Sequence, residues 1–441
     1  MNLTTKKSRL KGTIAIPGSK SHTIRAVAIA SLAEGNSLIR SPLISSDTLS
    51  SVSCYKALGA KIDTSDDSVW KVTGTGGNIT APEEIIDVGN SGTTLRIAMG
   101  SASLVWPGKS ITFTGDEQIR SRPIGPLMEA LINLGAHCVS LNSDCKAPVK
   151  ITGKIAGGST PIAAFTSQYL SSLLLCTPLA LQDSEITVNL LNEPGYVQMT
   201  LDWMDKQNIE YENQDMKKFL VKGKQKYSAF DSAIPADFSS ATFFLCAAAL
   251  LGDEVTLLGL DFSDSQPDKA VVDYLKAMGA DITIETCHGH PGREAWAGSP
   301  SHKVTIKASE LQGTEIDMNA TPDALPAMAV ISAFAKGPTR LVNVPQARTK
   351  ETDRIACMAK ELTKMDVDVE ELPDGLVING GKPKPTQVKG WGDHRIVMAL
   401  SIAGLMLDGK VTVDTAEAMN VTFPSFVELM AGLGANIELS K

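Results

Sequence analysis

The chain has 441 residues, enough for two domains of about 200 residues each. Its formal net charge of −8 argues against a general nucleic-acid binder, which needs a basic surface. Seven cysteines with no CxxC pair indicate the reduced thiols of a cytoplasmic protein.

Neither the N-terminal segment nor the long uncharged run of this chain indicates a membrane protein. The opening segment MNLTTKKSRLKG lacks the apolar stretch of a secretory signal, so we expect none. The run 155–182 carries no charge and is long enough to raise the question of a membrane span. It contains Pro161, Pro178 and several Ser, Thr and Gln residues, which favour a buried helix instead.

Six apolar segments follow one another along the chain, and each opens on polar or charged residues. In order they are SKSHTIRAVAIASLAEG (19–35), NSGTTLRIAMGSASL (90–104), TSQYLSSLLLCTPLAL (166–181), DFSSATFFLCAAALLG (237–252), TPDALPAMAVISAFAKG (321–337) and GDHRIVMALSIAGLML (392–407). A Ser, Thr, Asp or Asn near each start can cap free backbone N–H groups. The nearly uncharged bodies predict helices packed against other helices in a core.

A second helix follows each apolar segment and usually ends in a short Gly-Ala exit, as in CYKALGAKID (54–63) and VELMAGLGANIEL (427–439). The aligned exit positions are Gly59, Gly135, Asn208, Gly279, Asp366 and Gly434, spaced 76, 73, 71, 87 and 68 residues apart. A long and nearly constant period is the signature of a repeated supersecondary unit. The whole chain is therefore predicted to consist of six repeats.

Short strands separate the helices. We predict SITFTG (110–115), EITVNLL (185–191), EVTLLGL (254–260), TRLVNV (339–344) and KVTVD (410–414) as strands, with further short ones such as WKVTGTG (70–76). Each repeat therefore alternates helices with strands. This alternation is typical of an α/β protein with repeated crossover connections.

Cations are concentrated near several of these helix starts. They are Lys20, Arg25, Arg96, Arg120, Arg122, Arg348, Lys350, Arg354, His394 and Arg395. A basic residue there opposes the helix dipole, so the arrangement is favourable chiefly when an anion binds. Arginine can grip phosphate or carboxylate with a planar fork, and lysine supplies a point charge. Ordinary surface charges and salt bridges are the alternative for any single residue.

Two carboxylates stand among these cations. Asp323 begins the fifth apolar segment, and Glu351 begins the helix that follows it. A carboxylate held beside reacting atoms can act as a general acid or base. An N-cap role for Asp323 and a helix-dipole role for Glu351 are equally compatible with their positions.

Seven motifs in order resemble those of the EPSP synthase (3-phosphoshikimate 1-carboxyvinyltransferase) family. They are PGSKSHTIRA (17–26), GNSGTTLR (89–96), RSRPIGPL (120–127), TSQYL (166–170), TPDALP (321–326), KETDR (350–354) and GDHRIVMAL (392–400). The resemblance implies two similar domains, each an inside-out barrel of three βαβαββ repeats with buried parallel helices, with a cleft between the domains. It implies one domain of residues 1–18 and 235–441 and another of residues 19–234.

The resemblance also implies the reaction. Such enzymes transfer the enolpyruvyl group of phosphoenolpyruvate to the 5-hydroxyl of shikimate 3-phosphate and release phosphate, through a tetrahedral intermediate. The expected partners are these small anions, with no nucleic acid, membrane, metal or organic cofactor, and the expected state is a cytoplasmic monomer. Glyphosate is expected to compete with phosphoenolpyruvate.

The resemblance implies functional residues at the positions of this chain that match the family motifs. Asp323, Glu351 and Lys20 are the expected catalytic residues, with Asp323 as the base at the hydroxyl. The expected contacts of shikimate 3-phosphate are Lys20, Ser21, Arg25, Thr166, Ser167, Gln168, Asp323, Gln346 and Lys350. The expected contacts of phosphoenolpyruvate are Lys20, Asn90, Gly92, Arg122, Gln168, Arg354 and Arg395, with Thr93 and Arg96 shaping the loop.

Three positions depart from the family pattern. Val421 stands where many bacterial members have a Lys, Glu193 where a Ser is common, and Gln346 where an Asn is common. The Val421 departure removes one expected contact with phosphoenolpyruvate. We interpret all three as divergence within an active family.

Four other interpretations fit the sequence less well. UDP-N-acetylglucosamine enolpyruvyl transferases share this chemistry but carry a reactive Cys where this chain has Glu117. A P-loop is disfavoured because GSKS (18–21) lacks the G-x4-G-K spacing. A non-catalytic anion-binding relative would not need both Asp323 and Glu351. A metal site at CHGH (287–290) lacks a second ligand pair at zinc spacing, and a surface loop is the preferred interpretation.

Overall fold

A computed structural model describes residues 1–288 and 300–441. It divides into two compact units. The first unit consists of residues 1–17 and 235–441, and the second unit of residues 18–234. The CHGH segment extends past residue 288 and so lies partly outside the described residues.

Thirteen α-helices are described. They are α1 (Lys20–Leu32), α2 (Ser46–Ala57), α3 (Gly92–Ala102), α4 (Glu117–Ser121), α5 (Gly125–Asn133), α6 (Ser167–Cys176), α7 (Pro194–Lys206), α8 (Phe238–Leu251), α9 (Ala270–Ala277), α10 (Leu325–Phe334), α11 (Arg354–Lys364), α12 (His394–Met406) and α13 (Phe426–Gly432). The short helix α4 was not predicted. It is an addition to the two helices of the second repeat.

Twenty-four strands are described. They are β1 (Asn2–Lys6), β2 (Leu10–Ala15), β3 (Asn36–Arg40), β4 (Lys61–Asp63), β5 (Val69–Thr73), β6 (Ile86–Asp87), β7 (Ser110–Thr114), β8 (His137–Ser140), β9 (Val149–Thr152), β10 (Gly158–Ala164), β11 (Ser184–Leu191), β12 (Tyr211–Gln214), β13 (Lys218–Val221), β14 (Asp231–Ala233), β15 (Gly252–Leu260), β16 (Asp281–His288), β17 (Pro300–Lys307), β18 (Glu315–Asp317), β19 (Pro338–Val342), β20 (Asp368–Leu372), β21 (Gly375–Asn379), β22 (Gln387–Val388), β23 (Lys410–Val413) and β24 (Asn436–Ser440).

These strands form six four-stranded sheets of one design. In each sheet a parallel pair is extended by two antiparallel strands, as in β10-β11-β13-β12, where Thr160 pairs with Ile186 and Ile186 with Phe219. The other sheets are β14-β3-β5-β4, β6-β7-β9-β8, β2-β15-β17-β16, β18-β19-β21-β20 and β22-β23-β1-β24. A single sheet pattern repeated six times confirms the predicted βαβαββ repeats.

The first helix of each repeat is buried all round. From residue 22 onward every residue of α1 is buried, and so is every residue of α3. Helices α6, α8, α10 and α12 show the same full burial over nearly their whole lengths. A helix that is apolar on every side must be covered on every side, so the sheets lie outside and these helices form each core. The predicted inside-out arrangement is confirmed.

The exit from each second helix has one backbone conformation. Residues at the six aligned exit positions all have positive φ, from 54° at Asn208 to 106° at Gly59. A left-handed residue after the last turn lets the chain reverse and satisfies free carbonyl groups. Asn and Asp tolerate this conformation better than most residues other than Gly, which explains Asn208 and Asp366.

The uncharged run 155–182 is a strand followed by a helix rather than one buried helix. It contains β10, then α6 and a short 3-10 turn. Within residues 1–288 and 300–441, no helix combines the length and apolarity needed to cross a bilayer.

Candidate active site

The start of α1 places Lys20 beside a buried carboxylate. Ser19 caps the helix by accepting from the backbone N–H of His22. The Lys20 Nζ donates to Asp47 Oδ2 at 3.0 Å, and Asp47 lies in the first turn of α2. Sequence analysis missed Asp47, because its only signal was its place at a capped helix start. The pair holds the Lys20 ammonium in a fixed position.

Arg25 lies one turn further along α1 and is fully buried. It donates to the Thr200 hydroxyl at 2.9 Å, to the Tyr196 carbonyl at 2.9 Å and to the Ser21 carbonyl at 3.1 Å. Burial lowers the pKa of this guanidinium to about 10, although Tyr196 opposes the shift. In the part of the chain that the structure describes, Arg25 makes no ion pair. A buried cation with only neutral partners favours the approach of an anion.

Two arginines converge on the start of α3. A Cβ atom on Gly92 would lie 2.8 Å from an Arg96 nitrogen and 2.9 Å from an Arg122 nitrogen. Both guanidinium groups therefore lie against a helix N-terminus at a position without a side chain. Helix N–H groups and two cations in one place form a ready site for phosphate or carboxylate.

Side-chain hydrogen bonds fix the residues at and just before the start of α3. Gln168 at the start of α6 accepts from Arg96 at 2.6 Å and donates to the Thr93 hydroxyl at 3.0 Å. Asn90 donates to Asp116 at 2.6 Å and to Gln118 at 2.7 Å. The predicted residues of the second and third repeats are thus brought together at the helix starts of the second unit.

A carboxylate of the protein itself, from Glu193, lies at the start of α6. Thr166 caps the helix, and the Ser167 hydroxyl donates to Glu193 Oε2 at 2.7 Å. Glu193 is buried. This pairing was not predicted, because nothing in the sequence indicates that residue 193 folds back over residue 167.

A second cluster lies in the first unit around Arg354. This arginine is 1% exposed and donates to Asp323 at 2.7 Å, to Glu351 at 2.5 Å and to Asp393 at 2.8 Å. Arg395 lies 3.0 Å from Asp323, and Lys350 lies 3.9 Å from the same carboxylate. Sequence analysis named five of these six residues and missed Asp393, which caps α12.

The cations of this cluster control the acidity of Asp323. Burial alone would raise the pKa of the carboxyl group, but Arg395, Lys350 and Arg354 outweigh burial and hold the pKa well below its usual range. Asp323 is therefore ionised at neutral pH and is a weak base in this state. An arriving anion would draw these cations away from Asp323 and raise its pKa toward the range that proton transfer needs.

Three of the residues predicted as helix-start cations behave differently. Burial lowers the pKa of His394 to about 3, so this side chain is neutral at pH 7. Arg348 is held by Asp353, Glu371 and two backbone carbonyl groups at 2.7–2.8 Å, which is a structural role. Arg120 is exposed and donates to the Gly115 carbonyl. The anion hypothesis therefore rests on the other cations.

The two remaining predicted positions lie in short 3-10 helices. Gln346 is buried, and its amide nitrogen donates to the Asn319 carbonyl at 2.9 Å. Among the described residues its amide oxygen has no hydrogen-bond donor. Val421 is half-buried and precedes Phe423, which packs against Phe244 and Phe426. Position 421 therefore supplies no positive charge to a bound anion.

Comparisons of sequence and of structure with known proteins point to the same family. The sequence profile described as EPSP synthase (3-phosphoshikimate 1-carboxyvinyltransferase) matches residues 4–430. A 3-phosphoshikimate 1-carboxyvinyltransferase from Acetivibrio thermocellus is 53% identical, with 99% of each chain covered. The protein of that name from Ruminiclostridium cellulolyticum is 51% identical over 100% of both chains. The EPSP synthase structure from Acinetobacter baumannii aligns over 100% of both chains with a TM-score of 0.83 and 26% identity. The chain therefore belongs to the EPSP synthase family, as its motifs predicted.

Proposed function

We propose that this chain transfers the enolpyruvyl group of phosphoenolpyruvate to the 5-hydroxyl of shikimate 3-phosphate and releases phosphate. Family membership over residues 4–430 and 53% identity to a 3-phosphoshikimate 1-carboxyvinyltransferase support this reaction. The single structural observation that carries it is the convergence of Arg96 and Arg122 on the start of α3, because both substrates are anions.

The expected contacts are assigned to two ligands. We assign shikimate 3-phosphate to Lys20, Ser21, Arg25, Thr166, Ser167, Gln168, Asp323, Gln346 and Lys350. We assign phosphoenolpyruvate to Lys20, Asn90, Gly92, Arg122, Gln168, Arg354 and Arg395. We also propose domains of residues 1–18 with 235–441 and of residues 19–234.

The chemistry consists of an addition and an elimination. In the addition, the 5-hydroxyl oxygen bonds to C2 of phosphoenolpyruvate, its proton leaves to Asp323, and a proton is delivered to the C3 methylene. In the elimination, the C2–O bond to phosphate breaks, and a proton leaves the new methyl group to restore the enol ether. Glu351 and Lys20 are the proposed carriers of the C3 proton, since each is ionisable and held by a charged partner.

Positioning and electrostatics supply most of the rate enhancement in this proposal. Paired cations fix two multiply charged ligands, which converts a bimolecular encounter into a reaction between held groups. The fixed guanidinium groups also stabilise charge on the departing phosphate without reorganising. We further propose that the enzyme works as a cytoplasmic monomer; its seven cysteines are all free thiols.

Phosphate release tests the proposal. The purified protein is incubated with both substrates in the presence of a metal chelator, and each substrate is omitted in turn. We expect release only when both are present. UDP-N-acetylglucosamine in place of shikimate 3-phosphate should give no release, whereas release with that acceptor would support the other enolpyruvyl transfer. No release with either acceptor would contradict the proposal.

A further inference from the structure

Glu193 has no part in the chemistry proposed above, yet its carboxylate lies on a residue assigned to a substrate. The side chain is 2% exposed. Its Oε2 accepts from the Ser167 hydroxyl at 2.7 Å and from the Ser167 backbone N–H at 3.3 Å. Ser167 is the first residue of α6, so the carboxylate occupies the positive end of that helix. A ligand anion that reaches Ser167 must therefore meet a negative charge.

The backbone at Glu193 is strained. Its φ of 59° and ψ of 50° place it in the left-handed region, which few residues other than Gly adopt. Pro194 follows directly, and a residue before proline is biased toward extended conformations. Strain of this kind persists only where the surroundings hold it, and it concentrates at functional sites. The two bonds from Ser167 are part of what holds this turn.

The same turn also reaches the buried arginine of α1. Arg25 donates to the Tyr196 carbonyl at 2.9 Å and to the hydroxyl of Thr200, which lies further along α7. The turn that begins at Glu193 therefore contacts two of the residues assigned to shikimate 3-phosphate.

We propose that Glu193 is a specificity-determining residue. Its carboxylate occupies the hydrogen-bond donors of Ser167 that a substrate anion would otherwise use. In the free protein its carboxylate satisfies the N-terminal end of α6. The phosphorylated substrate must displace it, because two negative groups cannot share the same donors without repulsion. Glu193 thus lowers the affinity for shikimate 3-phosphate and has no effect on the other substrate. The inference rests on the proposed function, which assigns Ser167 and Arg25 to shikimate 3-phosphate.

The Glu193→Gln variant tests this inference in the full chain. Its amide oxygen can still accept from Ser167, but the negative charge is gone. We expect calorimetry to show shikimate 3-phosphate binding tightened by about tenfold or more, as expected when a like charge is removed from a partly buried anion site. In this proposal the phosphate is the group that meets Glu193, so binding of shikimate, which keeps only the carboxylate, should change by less than about threefold. A purely structural role would weaken both ligands together.

Two further variants complete the test. Glu185→Gln is the matched control, since Glu185 lies on β11 of the same unit and pairs with Lys218 at 3.0 Å. It should leave both affinities unchanged. Glu193→Gly removes the carboxylate and fits the left-handed backbone without strain, so it decides the question if the glutamine variant folds poorly.

The outcomes separate this inference from the proposed function. Unchanged or weaker shikimate 3-phosphate binding in the folded Glu193 variants would overturn the role of Glu193, even in an active enzyme. A wild-type protein that releases no phosphate from the two substrates would instead contradict the proposed function. An unchanged KM for phosphoenolpyruvate in the glutamine variant is also expected, and a tightened one would overturn the assignment of Glu193 to the other substrate.

Discussion

Lys20 is held by Asp47, and this pair gives a sharp test of a single side chain. We expect Lys20→Met to lower turnover by at least about 10²-fold, the loss typical of removing one charge-stabilising donor from an active site. The substitution also leaves the buried Asp47 without its cation, which lowers stability. The double variant with Asp47→Asn should restore the melting temperature and leave turnover low.

A surface lysine provides the control for that experiment. Lys7 pairs with Asp408 at 2.8 Å, and both side chains are mostly exposed. Lys7→Met should leave turnover and stability nearly unchanged, because exposed pairs contribute little. Near-normal kcat/KM in Lys20→Met would exclude Lys20 from the site.

Asp323 is proposed to take the hydroxyl proton, and Asp323→Asn separates chemistry from binding. We expect kcat to fall by about 10²–10⁴-fold while both substrates still bind. Phosphoenolpyruvate should bind at least as tightly as before, because Arg395 and Arg354 lose a competing carboxylate. Lost binding of shikimate 3-phosphate with an unchanged kcat would make Asp323 a positioning residue.

Most candidate site residues could be predicted from motifs, but their pairing could not. Lys20 and Arg354 are the first residues of helices that the sequence reveals, and Arg122 lies in a motif between α4 and α5. Asp47 and Glu193 meet their partners only because helices of different segments lie side by side in the fold. A local pattern carries no information about such contacts, and the same limit explains the missed Asp393.

At the scale of the elements, the left-handed exit at Asn208 gives a prediction about stability. Asn208 is exposed, so substitution there changes backbone conformation and little packing. With φ at 54°, Asn208→Val should destabilise the fold by about 1–2 kcal/mol, because a branched side chain clashes in this region. Asn208→Gly at the same position should be neutral or stabilising. Thermal unfolding of the two variants measures the difference, and equal melting temperatures would contradict the role of this exit.

The repeated helices and exits were predictable because their signals are local and recur six times. Apolar runs such as 238–251 and exits such as Gly59 follow directly from residue type. Helix α4 was not predictable in the same way, since five residues with a single Asp116 cap carry too weak a pattern. The split of the run 155–182 into a strand and a helix depends on the pairing of β10 with β11, which is a tertiary contact.

For the whole molecule, His394 predicts how stability depends on pH. Burial lowers its pKa to about 3, whereas the unfolded chain takes up the proton near pH 6.5. The unfolded state therefore binds more protons between these values, and stability falls as the pH is lowered through this range. We expect a loss of about 2 kcal/mol between pH 7 and pH 5 from this group.

The His394→Gln variant isolates that contribution. Its melting temperature should depend less steeply on pH between 7 and 5 than that of the wild type. His137→Gln provides the control, because His137 is exposed. Equal slopes in wild type and His394→Gln would show that another group controls acid stability.

The central claim is that this protein joins phosphoenolpyruvate and shikimate 3-phosphate and releases phosphate without a metal. Phosphorus NMR of the reaction mixture, with a chelator present, follows both phosphates at once and so tests the claim most directly. We predict that inorganic phosphate and a new phosphorylated product with an enolpyruvyl ether form in equal amounts, with neither formed by Asp323→Asn on the same timescale. Inorganic phosphate without the ether product, or no change in either substrate, would contradict the account.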